Sequence, residues 1–177
     1  MSKKILFIPF GEMNAYHSLL RESVESHDYE VVEGETNIGL SSVAEIVGLI
    51  FPLIKYVYSD DIDSVHLVWT HPLFITTGFL NRRISRLVTY ARGVILIGNV
   101  LTLRLMGINL LWTVHNKYNH EREHRDIDLF ISRILSAVCT DITVECDSAK
   151  RTIEDLFNID NRSKVHVIPE GNYINAY

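Results

Sequence analysis

Cysteine is scarce in this chain: Cys139 and Cys146 are the only two among 177 residues. They lack CxxC spacing, which argues against a disulfide scaffold, a zinc ribbon and a thioredoxin-type redox pair, and both read as small apolar fillers. An excess of positive charge is missing as well. Against 17 lysines and arginines stand 22 acidic residues, giving a net charge of -5 in mixed order, so there is no global basic field for nucleic acid. No basic-then-apolar leader with a small-residue cleavage site precedes the strand-like Ile5-Leu6-Phe7-Ile8, and a reducing cytoplasm is the expected location. The most apolar stretch, 94–114, is broken by Asn99, Arg104, Gly107 and Asn109. It reads as a buried helix followed by a strand rather than a membrane span. Glycine-rich fingerprints are absent too: the turn Gly11-Glu12-Met13-Asn14 has one glycine rather than a G-x-G-x-x-G, which speaks against a simple dinucleotide site. No G-x-S-x-G elbow surrounds Ser148, so Asp147-Ser148 read as helix N-cap residues.

What the chain does have is a regular alternation of strand and helix patterns. Strands are expected over 4–10, 29–33, 64–70, 108–115, 142–146 and 164–168, where short apolar runs are bounded by turn residues. Helices are expected over 14–26, where Leu19, Leu20 and Val24 recur at helical spacing, from Ser41 or Ser42 through Tyr58, over 78–106 with Gly93 as a candidate break, over 121–140, and from Asp147-Ser148 through Phe157. Helix-length crossovers between strands imply an α/β fold: a Rossmann-like parallel sheet with helices on both faces and right-handed connections. No linker or repeat divides it, so residues 1–168 are expected to form a single domain, with a turn leading outward at 169–177.

The stretch Trp112-Thr113-Val114-His115-Asn116 ends an apolar run on a histidine and an amide. In open α/β sheets the loops at the carboxyl ends of strands line the ligand crevice, which makes His115 the candidate catalytic residue and Asn116 its neighbour in binding. His71, at the end of the 64–70 strand, is a candidate to border the same crevice. Gly11 lets backbone approach a ligand, and the helix that follows favours an anionic group. His66, inside a strand, reads as a core histidine with a local hydrogen bond. His120-Glu121-Arg122-Glu123-His124 matches HExxH literally, but charged residues separate the two histidines and no third ligand is evident. A solvated helix start is the better account of it, and no metal is expected. Arg82, Arg83 and Arg86 beside Leu80, Ile84 and Leu87 form a cluster able to touch anionic lipid headgroups, against the plainer reading of a solvated helix face.

Three segments carry a resemblance: Trp112-Thr113-Val114-His115-Asn116, Trp69-Thr70-His71-Pro72, and Val165-His166-Val167-Ile168-Pro169-Glu170-Gly171-Asn172-Tyr173. Together with Asn14-Ala15-Tyr16-His17, their order and spacing resemble the N-terminal half of glycosyltransferase family 4 enzymes of the GT-B fold. The resemblance implies an acceptor-holding Rossmann-like domain facing a second domain that binds a nucleotide-sugar, with transfer in the cleft between them. It implies that Gly11, with Asn14 and Tyr16 nearby, approaches donor phosphates and acceptor, and that His115 faces the reacting sugar. Relatives are typically retaining and metal-independent, and use no cofactor beyond the nucleotide-sugar co-substrate. Where they often read Pro-His-Gly-Asn or Pro-Asn-Gly, this chain has Pro169-Glu170-Gly171, at the start of the interdomain hinge.

The expected function is therefore acceptor binding in transfer of a sugar from a nucleotide-sugar to a glycan or lipid-linked glycan. Such a domain is expected to be inactive without a C-terminal donor-binding half, supplied as a partner or in a longer polypeptide. The alternatives are a non-catalytic binding or regulatory module of the same fold and, last, a zinc hydrolase using His120 and His124.

Overall fold

The computed structural model describes residues 3–8, 15–34, 61–76, 81–118 and 124–169. In chain order these form β1 (Lys3–Ile8), α1 (Ala15–Glu25), β2 (Tyr29–Glu33), β3 (Ser64–Leu67), α2 (His71–Phe74), α3 (Arg82–Leu105), β4 (Asn109–Thr113), α4 (Arg125–Val138), β5 (Asp141–Val144), α5 (Asp147–Phe157) and β6 (Val165–Val167). All strand pairs are parallel, in the order β2-β1-β3-β4-β5-β6. The chain leaves β1 to one side for β2 and returns to the other side for β3. This reversal opens a crevice at the strands' carboxyl ends.

Side chains on a strand alternate between faces, and β1 divides the core accordingly. Leu6 and Ile8 join the larger cluster, in which Val65, Leu67, Leu110, Trp112, Ile142 and Val144 of the sheet meet Leu96, Val100 and Leu103 of α3, Ile131 and Leu135 of α4, and Ile153 and Phe157 of α5. Trp112 stacks on Phe157 with ring centroids 5.6 Å apart. Ile5 and Phe7 point the other way and, with Val31 and Val68, receive Tyr16, Leu20 and Val24 of α1. Each fully buried aliphatic side chain contributes roughly 1.5–3 kcal/mol through the water it sheds, so both faces need helices. The sheet is the Rossmann-like α/β layer structure that the alternation predicts.

Several boundaries differ from the sequence reading. β3 ends at Leu67, not at residue 70, because Thr70 and Pro72 start the short helix α2. His71 therefore opens a helix and does not end a strand. α3 passes through Gly93 without a break. A Cβ at that glycine would lie 2.6 Å from Cδ1 of Ile131, so the residue serves close approach of α3 and α4. The helix starts at the Asn81 cap, whose side chain accepts from the Arg83 backbone N–H at 2.9 Å. It stops at Gly107, where φ is +83° and the Ile108 N–H returns to the Leu103 carbonyl. The cap of α5 is Cys146, not Asp147 or Ser148, and Cys146 is exposed, so only the buried Cys139 is an apolar filler. The expected helix from Ser41 or Ser42 to Tyr58, residues 78–80 of the expected 78–106 helix and the segment from Glu170 lie outside the described residues.

Candidate functional site

The second face of the sheet turns polar as it passes from β1 towards β5. His66 of β3 is buried, with its Nε2 2.7 Å from Thr113 Oγ1, and that hydroxyl is 2.7 Å from Thr143 Oγ1. Phe7 meets the His66 ring edge-on at 5.0 Å. Burial foremost, then the neighbouring His115 and His17, push the pKa of His66 down to about 3. The imidazole is thus neutral and hydrogen-bonded within the core.

The register continues this polar row to the crest. Thr113 pairs with Thr143, and two residues further on each chain returns to the same face. His115 and Glu145 accordingly stand together, with Nδ1 of His115 3.0 Å from Oε1 of Glu145. The ring of Tyr16, at the start of α1, meets the His115 ring edge-on at 4.8 Å, and Trp69 tilts against it at 6.1 Å. Residues following β1, β3, β4 and β5 thus converge on one imidazole at the carboxyl edge of the sheet. The His115 side chain keeps 16% of its surface exposed and that of Glu145 39%. Glu145, but not His115, borders a cavity of about 400 Å³ on this face, lined also by Tyr16, Leu20, His66, Thr113 and Thr143.

Chemically, this is an imidazole oriented by a carboxylate. With Glu145 ionised, the Nδ1–H of His115 donates to it, which places the ring's lone pair on Nε2. A histidine in that tautomer can accept a hydrogen bond from a hydroxyl or take its proton.

Neither family models nor curated proteins yield a match to this chain.

Of the residues singled out from the sequence, the structure brings Tyr16 and His115 into contact. Asn116 follows on the same loop, half-buried. Gly11 and Asn14 lie outside the described residues. The described contacts of His71 belong to another cluster: its Nε2 is 3.3 Å from Oδ1 of the fully buried Asp128, and its ring tilts on Phe74. These contacts fasten α2 to α4. His124 is buried and shares a 3.0 Å hydrogen bond between Nε2 and Ser85 Oγ, while His120 and Glu121 lie outside the described residues. Ser85 donates to the Thr76 carbonyl at 2.7 Å, so its hydroxyl accepts from His124, whose Nε2 is thereby taken up by the protein. Among the described residues, no group of three histidine, cysteine or acidic side chains could hold a metal ion. Glu145 was not anticipated. Its signal was positional, since it follows β5 as His115 follows β4.

Proposed function

We propose that this domain binds the acceptor in a glycosyl transfer from a nucleotide-sugar to a glycan or lipid-linked glycan, with His115 facing the reacting sugars. The observation that carries this reading is the His115–Glu145 pair at the carboxyl edge of the sheet, beside Tyr16. The resemblance of the Trp112-Thr113-Val114-His115-Asn116 segment to family 4 glycosyltransferases supports it. In the transfer, an acceptor hydroxyl oxygen becomes bonded to the anomeric carbon, the bond from that carbon to the nucleotide phosphate oxygen breaks, and the hydroxyl proton passes to the departing phosphate. His115 contributes by hydrogen-bonding a sugar hydroxyl more strongly as charge develops. Glu145 is a positioning residue, holding the ring's tautomer and angle. Groups that bind the nucleotide and stabilise the leaving phosphate belong, in this reading, to a donor-binding domain in the same or another polypeptide.

The test presents the chain, with a donor-binding domain, to a panel of nucleotide-sugars and glycan or lipid-linked acceptors. His115→Ala is expected to lower kcat on the order of a hundredfold or more. Glu145→Gln, whose side-chain oxygen can still accept from Nδ1–H, is expected to lower kcat on the order of tenfold with KM little changed. Acceptor binding by the wild-type chain that is indifferent to His115→Ala, with no transfer under any pairing, would instead favour a non-catalytic binding module.

A further inference from the structure

The N-terminal half of α3 is built inside out. The side the helix buries carries Ser85, Thr89, Arg92 and Asn99 among Leu96, Val100 and Leu103. The opposite side exposes Ile84, Leu87, Tyr90, Val94, Leu101 and Leu105, with Leu87 at 69% and Leu105 at 88%. These exposed residues recur at intervals of three, four and, from Val94 to Leu101, seven, all of which return to one side of a helix of 24 residues, about 36 Å long. Soluble helices show the reverse of the polarity seen in the N-terminal half, and an exposed apolar row on one side of a helix marks an interaction surface.

The charges on this helix identify the occupant. α3 has five arginines and no acidic residue, in a chain of net charge -5. Arg82, Arg83 and Arg86 gather at its N-terminal end. There a cleft of about 470 Å³ between α3 and α4 is lined by Arg83, Arg86, Leu87, Tyr90, Ile127 and Phe130. The acid on the flank, Asp126, is engaged by Arg86 in a two-pronged ion pair. A second copy of α3 would bring arginines and no carboxylates of its own. A bilayer with anionic headgroups satisfies both the stripe and the arginines. The same helix is long and apolar enough to cross a membrane by length and composition, but its inner side is committed to the protein. Arg92 donates to Thr76 Oγ1 at 3.1 Å and to the Pro72 carbonyl at 2.8 Å, and Asn99 donates to the Ile95 carbonyl.

We infer that α3 lies in the plane of an anionic membrane surface, with its leucine stripe in the acyl boundary and Arg82 and Arg83 among the headgroup phosphates. The surface stands whether or not the domain takes part in sugar transfer. Vesicle flotation tests it, comparing phosphatidylcholine alone with phosphatidylcholine containing phosphatidylglycerol. The chain is expected to float with the anionic vesicles and not with the neutral ones. Arg82→Glu with Arg83→Glu should weaken that binding by about fivefold or more for each arginine. Leu87→Ser with Leu101→Ser should weaken it roughly tenfold or more. All four positions are exposed, and unchanged thermal unfolding of the variants would verify that the fold is intact. Equal flotation with both vesicle types, or anionic binding that survives both pairs of substitutions, overturns the inference. So does a dimer in sedimentation equilibrium that the leucine pair dissolves while the wild type ignores vesicles, since the occupant is then a second copy.

Discussion

His66 lies wholly within the sheet between Phe7 and Thr113, and this placement has a consequence for stability. With its pKa pushed from 6.5 to about 3, burial being the largest cause, the folded chain leaves it neutral while the unfolded chain protonates it. Between those two values the unfolded state binds the extra proton. Stability is therefore full above about pH 6.5 and falls as the pH drops, by up to about 1.4 kcal/mol per unit. Urea unfolding at about pH 7.5 and about pH 5 should show the wild type losing about 2 kcal/mol more than His66→Gln. An identical loss in both proteins would remove His66 from the account. The core role of His66 and the crest position of His115 were both legible from where each falls in its apolar run. Glu145 was not. Which residue stands opposite a strand end depends on the register between two strands, and that register is a property of the pair.

At the scale of elements, the sequence placed α1, β2 and the end of α5 well because caps and periodicity mark them locally. It misjudged Gly93, since a glycine signals a break in isolation and a close approach in context. The two readings have opposite consequences. A helical glycine in open space gains about 1 kcal/mol when replaced by alanine. Here the added carbon would meet Cδ1 of Ile131 at 2.6 Å and Cγ1 at 2.8 Å, and overpacking costs about 1–3 kcal/mol. Gly93→Ala is therefore expected to destabilise by about 1 kcal/mol net of propensity, within a range of about 0–2 kcal/mol. Combining it with Ile131→Val, which removes Cδ1, should recover part of the loss. Chemical denaturation of both singles and the double gives the coupling, and strict additivity would show that the contact is not what holds the glycine there. The early end of β3 has a similar origin. Trp69 and Thr70 are good strand residues, yet Pro72 suits the first turn of α2, and residues packed behind it, Leu73 and Phe74, complete the core.

For the whole molecule, alternating hydrophobic patterns were enough to give the parallel sheet and its helical layers, because burial on two faces leaves few other arrangements. The polar side of the sheet and the inverted polarity of the N-terminal half of α3 were less visible, since each appears only when neighbouring elements fix which side faces in. The two cysteines report on this architecture from opposite positions. Cys146 is exposed at the start of α5, and its thiol pKa is lowered by the Ser148 hydroxyl and the Ala149 backbone N–H. Cys139 lies between α4 and β5 in the larger core, and burial pushes its thiol up to about 12. A thiol reagent at about pH 8 should label Cys146 at once, whereas Cys139 should react only when the core opens. Where reclosing outpaces labelling, the slow rate follows the global unfolding equilibrium. Leu67→Ala, at a fully buried position on β3, should cost about 3 kcal/mol and accelerate Cys139 labelling on the order of a hundredfold. The Cys146 rate should not change. If Cys139 labelling were fast in the wild type, or unmoved by Leu67→Ala, the α4–β5 junction would open by itself and the sheet with its helices would not unfold as one cooperative unit.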